Sequence, residues 1–508
     1  MMLSLTSDWF FSKRNALILA ILCTILLTMV PASILTAGLL FIIRTNIDIG
    51  QHYSLFFHYL TNTLTLFLVT VFFGFLLTIP PAVILSRRKV LVKNFILFLL
   101  LLPMILPPSI MHHTYSSLFG SLQENLITEG FIISLTISPC LFLILYIAFF
   151  TISDQYANLI DIYGKSTITK FKLLFPLYSP GILCGLAWSF WQLEDELNVY
   201  YISHKTLSYG LSEQWQVSGN AGYLWTAGLF YLGFAIILTA ILLPRISKSL
   251  IYNPPNSRSP KKTATNYLDH LGIGIPLIIM TVIPFFLISV DGFPVLNSLN
   301  FNTLISDIYN SVFTSFIVTC LCFVLAVPIT ISFYISNSWV GKLFSLLPII
   351  SAAFPGLFLA LGSLIVLGDA TSMLPDILNG TPIIILLAAK YLFFMVIPIL
   401  IQMSRLNPNY RKFIEVVPGS NISKAFQLYL PALQRGVTAG ATLVAILTLR
   451  ELAISNTIQP FGYSSIPMHI QDLVEIGSFY EAKMWSLILT LISLPLFYLF
   501  TNNISGEN

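Results

Sequence analysis

The stretch GKSTITKFKLLFP, residues 164–176, has a counterpart in GSNISKAFQLYLP, residues 419–431. Glycine, phenylalanine and proline occupy the same places in both stretches, and a Glu-Leu pair begins 20 residues after each proline. The matched residues, all separated by 255 positions, are Gly164 and Gly419, Phe171 and Phe426, Pro176 and Pro431, Glu196 and Glu451, and Leu197 and Leu452. A recurrence without insertion predicts a chain that is built from two similar halves.

The composition excludes a soluble protein. Of the 508 residues, 56% are hydrophobic and only 9% are charged, with a mean hydropathy of +0.85. Soluble domains carry about 25% charged residues. Apolar runs of about 18 residues or more can cross a bilayer. The sequence predicts twelve such spans, near residues 15–43, 56–85, 94–118, 130–152, 178–200, 222–244, 270–290, 309–335, 342–367, 381–403, 432–453 and 484–501.

The basic residues predict the orientation. If the N-terminus is cytoplasmic, 20 of the 25 lysines and arginines fall in segments on the cytoplasmic side. This is the bias that the positive-inside rule describes, so both termini are expected in the cytoplasm. The first apolar stretch, residues 15–43, is too long for a signal-peptide core and is expected to be a retained helix. The net charge of +4 indicates no nucleic-acid partner.

Further markers extend the repeat. Asn62-Thr63 is followed by Pro80, and Asn310-Ser311 by Pro328, with 18 residues from each asparagine to its proline. The sequence therefore predicts an all-α polytopic membrane protein with two parallel six-helix repeats. The expected divisions are a first half at 1–252, a proline-rich cytoplasmic linker at 253–268 and a second half at 269–508.

Each half is expected to carry one large cytoplasmic loop, at residues 153–177 and 404–431. Ile168 and Phe171 fall on one face of a short helix at helical spacing, and Ile422 and Phe426 do the same in the second copy. Each short helix is expected to follow a glycine turn and to end at the proline that starts the next span. An amphipathic helix that lies on the lipid surface is the plainer interpretation. Recurrence in both halves favours a docking element.

These loops resemble the "EAA" loop of binding-protein-dependent ABC importer permeases, and the segment Arg450-Glu451-Leu452 with Gln459-Pro460-Phe461-Gly462 is similar to fused permeases of the iron(III) and thiamine uptake type. The resemblance implies a type I permease fold in a bacterial inner membrane. The chain departs from the pattern in two ways. The glycine-to-proline spacing is one residue short, and the first copy has Leu159-Ile160-Asp161 where the second has Glu415-Val416-Val417.

In that family the loop forms a coupling helix that sits in a groove of an ATPase subunit. The resemblance therefore implies three partners: ATPase subunits, expected as a homodimer, an extracytoplasmic solute-binding protein, and the lipid bilayer around the chain itself. The residues expected to contact the ATPase are Gly164, Ile168, Phe171, Pro176, Glu415, Gly419, Ile422, Phe426 and Pro431.

ATP is expected on the partner and not on this chain, which is a transporter subunit and not an enzyme. Gly164-Lys165-Ser166-Thr167 resembles the end of a phosphate-binding loop, but position 159 is Leu where that motif needs glycine. No cofactor or metal is expected. His112-His113 lacks an evident third ligand, and the five cysteines lack metal or disulfide spacing.

Charged residues at the ends of two spans are gate candidates. Twenty helical residues rise about 30 Å, so Glu196 and Glu451 are expected near the outer ends of the spans that follow Pro176 and Pro431. Glu196, Arg450 and Glu451 are therefore predicted to line an outer gate, with Glu194 and Asp195 as further candidates. Side chains that only reach toward water are the alternative for Glu194 and Asp195. A thiamine-like or metal cargo stays open.

A competing function is a secondary transporter with two six-span halves and an ion gradient as its energy source. Such proteins use ionisable residues deep in several spans. The middles of the predicted spans hold few charges, Lys390 among them. A membrane scaffold is a third possibility, for which the sequence offers no specific feature.

Overall fold

The structure, a computed structural model, is dominated by helices. The described residues are 36, 49–120, 125–150, 167–195, 203–218, 221–252, 263–264, 266–298, 300–336, 348–367, 381–404, 406, 416–417, 425–459 and 462–505. The first helices are α1 (Ile49–Arg87), α2 (Lys93–Leu101), α3 (Pro108–Phe119), α4 (Leu126–Phe150), α5 (Thr167–Asp195), α6 (Leu207–Ser218) and α7 (Ala221–Tyr252).

The later helices follow the same pattern of long and short elements. They are α8 (Tyr267–Leu277), α9 (Ile283–Gly292), α10 (Phe301–Ser336), α11 (Pro348–Ala352), α12 (Gly356–Leu367), α13 (Thr381–Ser404), α14 (Leu430–Ala432), α15 (Gln434–Leu449), α16 (Ala453–Thr457), α17 (Ile466–Glu475) and α18 (Phe479–Ser505). Short 3-10 helices cover Leu102–Ile105 and Phe293–Ser298, and π-helical turns cover Ile278–Val282 and Ala425–Tyr429. Two-residue strands, β1 (Arg88–Lys89) and β2 (Thr263–Ala264), pair in parallel.

Six of the described helical segments are long and apolar enough to cross a membrane. Helices suit this environment because their backbone groups bond within the segment and need no water. The six are Ser54–Arg87, Leu126–Phe150, Tyr267–Asn297, Phe301–Thr330, Thr381–Met403 and Phe479–Ile504. The chain is an all-α, membrane-embedded protein. Twelve spans remain a prediction: the first predicted span lies outside the described residues except for Thr36, and α5, α7, α12 and α15 overlap predicted spans without meeting the same criterion.

A sharp bend separates Lys93–Ile105 from Pro108–Phe119, whose axes meet at 98°. If these two pieces form one broken span, the number of candidate spans is seven. Prolines explain the break, because Pro103, Pro107 and Pro108 lack amide hydrogens and Leu106 is extended (ψ 130°). A similar break at Pro355 lies between α11 and α12.

The core contains two groups of three mutually packed long helices. One group is α1, α4 and α5, and the other is α10, α13 and α15. Small residues permit close approach of membrane helices. At Gly436 in α15, an added Cβ would lie 2.8 Å from the Pro398 carbonyl oxygen, and at Gly440 it would lie 3.0 Å from the Met395 oxygen. The backbones of α13 and α15 therefore touch directly at both glycines.

Later helices link the two groups. Helix α7 packs on α5 and also on α11 and α12, whereas α18 packs on α15 and also on α2 and α3. The short helices cross in the same manner, since α6 contacts α1 and α12, and α17 contacts α10 and α3. This packing between the two groups brings the ends of α5 and α15 close to segments that are distant in sequence.

The expected helix end at Pro176 is wrong. Helix α5 runs from Thr167 to Asp195 without interruption, so Ile168, Phe171 and Pro176 all belong to one continuous helix. A proline removes one backbone hydrogen bond, and that loss alone does not end this helix. The second copy differs: Pro431 lies in the three-residue helix α14, and a break at Leu433 (φ −98°, ψ 1°) separates α14 from α15.

Candidate functional site

Arg450 is the centre of a buried contact between distant parts of the chain. It lies directly after α15, and its side chain is 5% exposed. Its Nη1 donates to the Met104 carbonyl oxygen at 2.5 Å, and its Nη2 donates to Gln192 Oε1 at 3.2 Å. Met104 lies in the 3-10 helix before the sharp bend, where the prolines disturb regular helical bonding. Gln192 lies near the end of α5. One guanidinium therefore joins three elements.

Glu451 stabilises the start of the next helix. Its Oε1 accepts from the Ile454 amide at 2.7 Å, and its Oε2 accepts from the Ser455 amide at 3.3 Å and the Ser455 hydroxyl at 3.0 Å. A carboxylate on the first amides of a helix acts as an N-terminal cap. Lys390 Nζ lies 3.9 Å from Glu451 Oε1, and both side chains are at most 4% exposed. Both charges of this ion pair are desolvated, so removal of one partner would destabilise the charge that remains.

Glu194 forms a comparable centre at the end of α5. Its side chain is 1% exposed, and its Oε2 accepts from the Ser208 amide at 2.9 Å, the Ser208 hydroxyl at 2.8 Å and the Tyr231 hydroxyl at 2.9 Å. The contacts tie α5 to α6 and α7. In the described part of the chain, Glu194 Oε1 lacks a hydrogen-bond partner. Two more polar groups with no partner there, the Trp188 and Trp191 indole N–H groups, lie on the same helix.

The start of α6 is held by polar residues of α1. Asn62 Nδ2 donates to the Lys205 carbonyl oxygen at 3.2 Å, and the Leu207 amide donates to Thr63 Oγ1 at 3.0 Å. Leu207 is the first residue of α6, whose amide has no partner within its own helix. These four residues are called the first clamp.

The start of α17 is held in the same way by α10. Asn310 Nδ2 donates to the Ser464 carbonyl oxygen at 2.8 Å, and the Ile466 amide donates to Ser311 Oγ at 2.9 Å. Ile466 is the first residue of α17. These four residues are called the second clamp. In both clamps the asparagine binds the carbonyl two residues before the helix, and the following hydroxyl accepts the first helical amide.

Acid–histidine contacts lie beside both clamps. His204 Nδ1 is 2.6 Å from Glu129 Oε2, which joins α4 to the segment before α6. His469 Nδ1 of α17 is 3.4 Å from Asp307 Oδ2 of α10. Burial lowers the pKa of the neighbouring Lys205 ammonium, and the charges of Glu129 and Glu213 oppose that shift.

Several predicted site residues lie outside the described residues: Gly164, Glu196, Glu415, Gly419 and Ile422. The backbone of Ile168, Phe171 and Pro176 belongs to α5, that of Phe426 belongs to the π-helical turn, and Pro431 is exposed in α14. The structure brings Arg450 and Glu451 into one buried region.

The sequence reasoning missed Gln192, Met104 and Ser208 as contacts. Gln192 precedes the acidic stretch 194–196, but nothing in the sequence indicates that Arg450 would be its partner. The sequence did single out Thr63 and Ser311, because the Asn-Thr and Asn-Ser pairs begin the second and eighth predicted spans.

Metal binding has no support in the described ranges, where no group of three or more His, Cys, Asp or Glu side chains could hold an ion. The His113 ring stacks on Phe479 with centroids 3.7 Å apart. Comparisons of the chain with protein families, with curated proteins and with solved structures found no match.

Proposed function

We propose that the chain is the membrane-spanning permease subunit of an ATP-driven ABC importer. It has twelve spans in two parallel halves, residues 1–252 and 269–508, joined by the linker 253–268. It resides in a bacterial inner membrane with both termini cytoplasmic. A solute-binding protein delivers a small solute, and ATPase subunits act on the loops 153–177 and 404–431. The observation that carries this proposal is the recurrence of glycine, phenylalanine, proline and Glu-Leu at a constant offset of 255 residues.

The two clamps support the division into halves. Each clamp uses an Asn-Thr or Asn-Ser pair near the start of a long apolar helix to hold the start of a short helix. The packing also has two corresponding sets, α1 with α4 and α5, and α10 with α13 and α15. Parallel repeats related by an axis along the membrane normal place equivalent contacts on the same side of the membrane.

The bond between Arg450 and Gln192 supports a route for coupling. Phe171 and Gln192 both belong to α5, so a segment proposed to contact the ATPase is continuous with a residue about 32 Å away. Arg450 ends α15, which follows the second proposed coupling segment. The bond between them therefore joins the far ends of both helices.

ATP binding would draw the two coupling segments together and rock the halves between outward and inward states. The hydrogen bonds of Arg450 to Gln192 and Met104 would hold one of these states, because a change in the angle between α5 and α15 must stretch or break them. Glu451, the next residue in the chain, would fix the backbone beside Arg450 through its hydrogen bonds to the start of α16. The outer gate then comprises Glu196, Arg450 and Glu451.

One observation favours a second function. The buried Lys390–Glu451 pair is the type of intramembrane ionisable pair that proton-driven transporters use. The alternative is therefore an ion-gradient-driven secondary transporter with two six-span halves. The two functions differ in their energy source and in their need for an ATPase partner.

The deciding experiment is purification of the chain from its native membrane in mild detergent. The importer function predicts co-purification of a nucleotide-binding subunit, and loss of that subunit in the double variant Gly164→Ala, Gly419→Ala, because alanine restricts the turn before each coupling segment. The matched control is Gly233→Ala, Gly274→Ala, since an added Cβ at either residue meets no atom within 4 Å. Recovery of the chain alone, with uptake abolished by a proton ionophore and unaffected by ATP depletion, would establish the secondary transporter.

A further inference from the structure

Two neighbouring apolar segments each contain an irregular turn. One is the bend of 98° between Lys93–Ile105 and Pro108–Phe119, and the other is the π-helical turn Ile278–Val282 between α8 and α9. The two segments pack against each other, since α9 contacts α3, and the π-helical turn contacts α2 and the 3-10 helix that follows it. Turns of the π-helical type are frequent at functional sites.

Prolines leave two carbonyl groups of the bent segment without a donor from its own backbone. The Leu99 carbonyl is four residues before Pro103, where an α-helix would place its donor. The Met104 carbonyl would pair with residue 107 in a 3-10 helix or with residue 108 in an α-helix, and both residues are prolines. Both carbonyls therefore depend on a donor from elsewhere.

The π-helical turn has the same defect. The Ile283 amide donates to the Ile278 carbonyl, and the next residue, Pro284, has no amide hydrogen to give to the Ile279 carbonyl. The Ile279 carbonyl therefore also lacks the donor that a continued π-helical turn would supply. Inside a membrane, carbonyl groups freed by proline are satisfied by side chains of neighbouring helices or by ordered water.

Two hydroxyl groups supply the missing donors reciprocally. Thr281 Oγ1, in the π-helical turn, donates to the Leu99 carbonyl oxygen at 2.8 Å. The Tyr115 hydroxyl, in α3, donates to the Ile279 carbonyl oxygen. Both donor side chains are at most 4% exposed, so the bonds are shielded from water. The bent segment and the π-helical turn therefore each satisfy a carbonyl of the other.

The angle of the bend depends on these contacts. Pro107 and Pro108 have no amide hydrogen with which to bond across the bend. Thr281 bonds the segment before the bend and Tyr115 bonds from the segment after it, so both arms are held against one π-helical turn. Arg450 adds a bond of 2.5 Å to the carbonyl of residue 104, just before the bend. A large change in the angle must break at least one of the three bonds.

We propose that the bend between Ile105 and Pro108 is a hinge, and that the hydroxyl groups of Thr281 and Tyr115 hold it in the bent state. When these two bonds break, the arm Pro108–Phe119 moves away from the π-helical turn and the segment becomes straighter. Hinges are commonly a few residues at the ends of helices that absorb a large change in backbone angles. This assignment does not depend on the proposed importer function, because it concerns the movement of one segment and not its energy source.

The test measures the bend by double electron–electron resonance between two spin labels on the full chain in detergent. The labels are attached at Phe95→Cys and Leu118→Cys, two positions that are each 55% exposed, after the five native cysteines are replaced by alanine. Ten helical residues rise about 15 Å, so the two labelled backbone positions are about 20 Å apart at a bend of 98° and about 30 Å apart in a straight segment.

Tyr115→Phe and Thr281→Val each remove one hydroxyl group and keep the overall shape of the side chain. In the double variant we expect the ratio of the longer to the shorter distance to rise about tenfold, because each lost hydrogen bond changes a population several-fold. Thr281→Ser keeps a hydroxyl group and should keep the wild-type distance. Thr490→Val is the matched control, since Thr490 is also buried but donates to the Ser486 carbonyl of its own helix.

Two outcomes would overturn the proposal. An unchanged distance distribution in the folded double variant would do so even if its unfolding temperature falls, because the two bonds would then only add stability. A change of the same size in Thr490→Val would do so as well, since the loss of any buried hydroxyl group would then be sufficient. If the double variant does not fold, the two single variants are measured in its place, and unchanged distances in both would reject the hinge.

Discussion

Two of the hydrogen-bond acceptors of the buried Arg450 side chain are neutral. It donates to a backbone carbonyl at Met104 and to a side-chain amide at Gln192. Neutral acceptors compensate for the loss of hydration less fully than a carboxylate does. These two contacts alone therefore offset only part of the cost of burying the guanidinium.

We expect Arg450→Gln to lower stability by about 2–4 kcal/mol, because two buried hydrogen bonds from a charged donor are lost. Gln192→Ala removes one of the same bonds and should cost less. Thermal unfolding of both single variants and the double variant in detergent gives the coupling energy, expected at about 1 kcal/mol or more. Strict additivity would show that Arg450 and Gln192 do not interact.

Arg450→Lys separates charge from geometry. Lysine keeps the positive charge beside Glu451 but cannot present two donors in a fixed fork. If the bridge to Met104 and Gln192 matters, the lysine variant should resemble Arg450→Gln in its unfolding temperature. A variant with wild-type stability would indicate that only the charge is needed.

At the scale of elements, the two clamps explain how short helices are held against long ones. An isolated helix of 10 or 12 residues, such as α17 or α6, is marginal in water. An acceptor for its first amide and a donor for the carbonyl before it fix both its start and its direction. Polar residues near the start of α1 and α10 therefore have a structural reason that is independent of transport.

Thr63→Val and Ser311→Ala remove the acceptor in the first and second clamp, and each should reduce stability by about 1 kcal/mol. The clearer readout is hydrogen exchange, which should accelerate at the amides of Leu207 and Ile466 respectively. Thr65→Val is the matched control, because Thr65 is exposed and donates only to the Asn62 carbonyl of its own helix. Faster exchange throughout the chain, rather than at α6 or α17, would argue against a local role.

Elements also show what the sequence can and cannot predict. Apolar length predicted spans at 130–152 and 381–403, and the structure has the helices Leu126–Phe150 and Thr381–Met403 there, because apolar length is a local property. Residues 94–118 were predicted as one span, and the bend after Ile105 was not predicted. The interruption expected at Pro176 was wrong because tertiary packing decides whether a helix survives a proline. The partners of Arg450 are 346 and 258 residues away in sequence, and no local pattern carries that information.

At the scale of the whole molecule, the packing gives α5 and α15 a shared role. Each belongs to one group of three packed helices. The first proposed coupling segment overlaps the start of α5, the second precedes α15, and Arg450 joins the far ends of the two helices. In the proposed importer, a displacement at either segment would be carried along the helix, because protein interiors have low compressibility. The two segments should therefore act together rather than independently.

Substitution of the repeated aromatics tests this joint action. Phe171→Glu and Phe426→Glu place a charge on the apolar face proposed to enter the ATPase groove, where an unpaired buried charge is strongly unfavourable. We expect each variant to lose most of the co-purifying nucleotide-binding subunit. Phe426→Glu should have the larger effect, because the second segment has Glu415 at the position where the first has Ile160.

The matched control is Phe316→Ser. Phe316 is an exposed aromatic residue of α10 that lies far from both coupling segments in sequence. The measurement is the amount of bound subunit and the ATP hydrolysis of the purified complex. If both segments act together, the double variant Phe171→Glu, Phe426→Glu should lose no more hydrolysis than the more severe single variant. Full retention of the subunit in the double variant would remove the basis for docking at these loops, and with it the importer function.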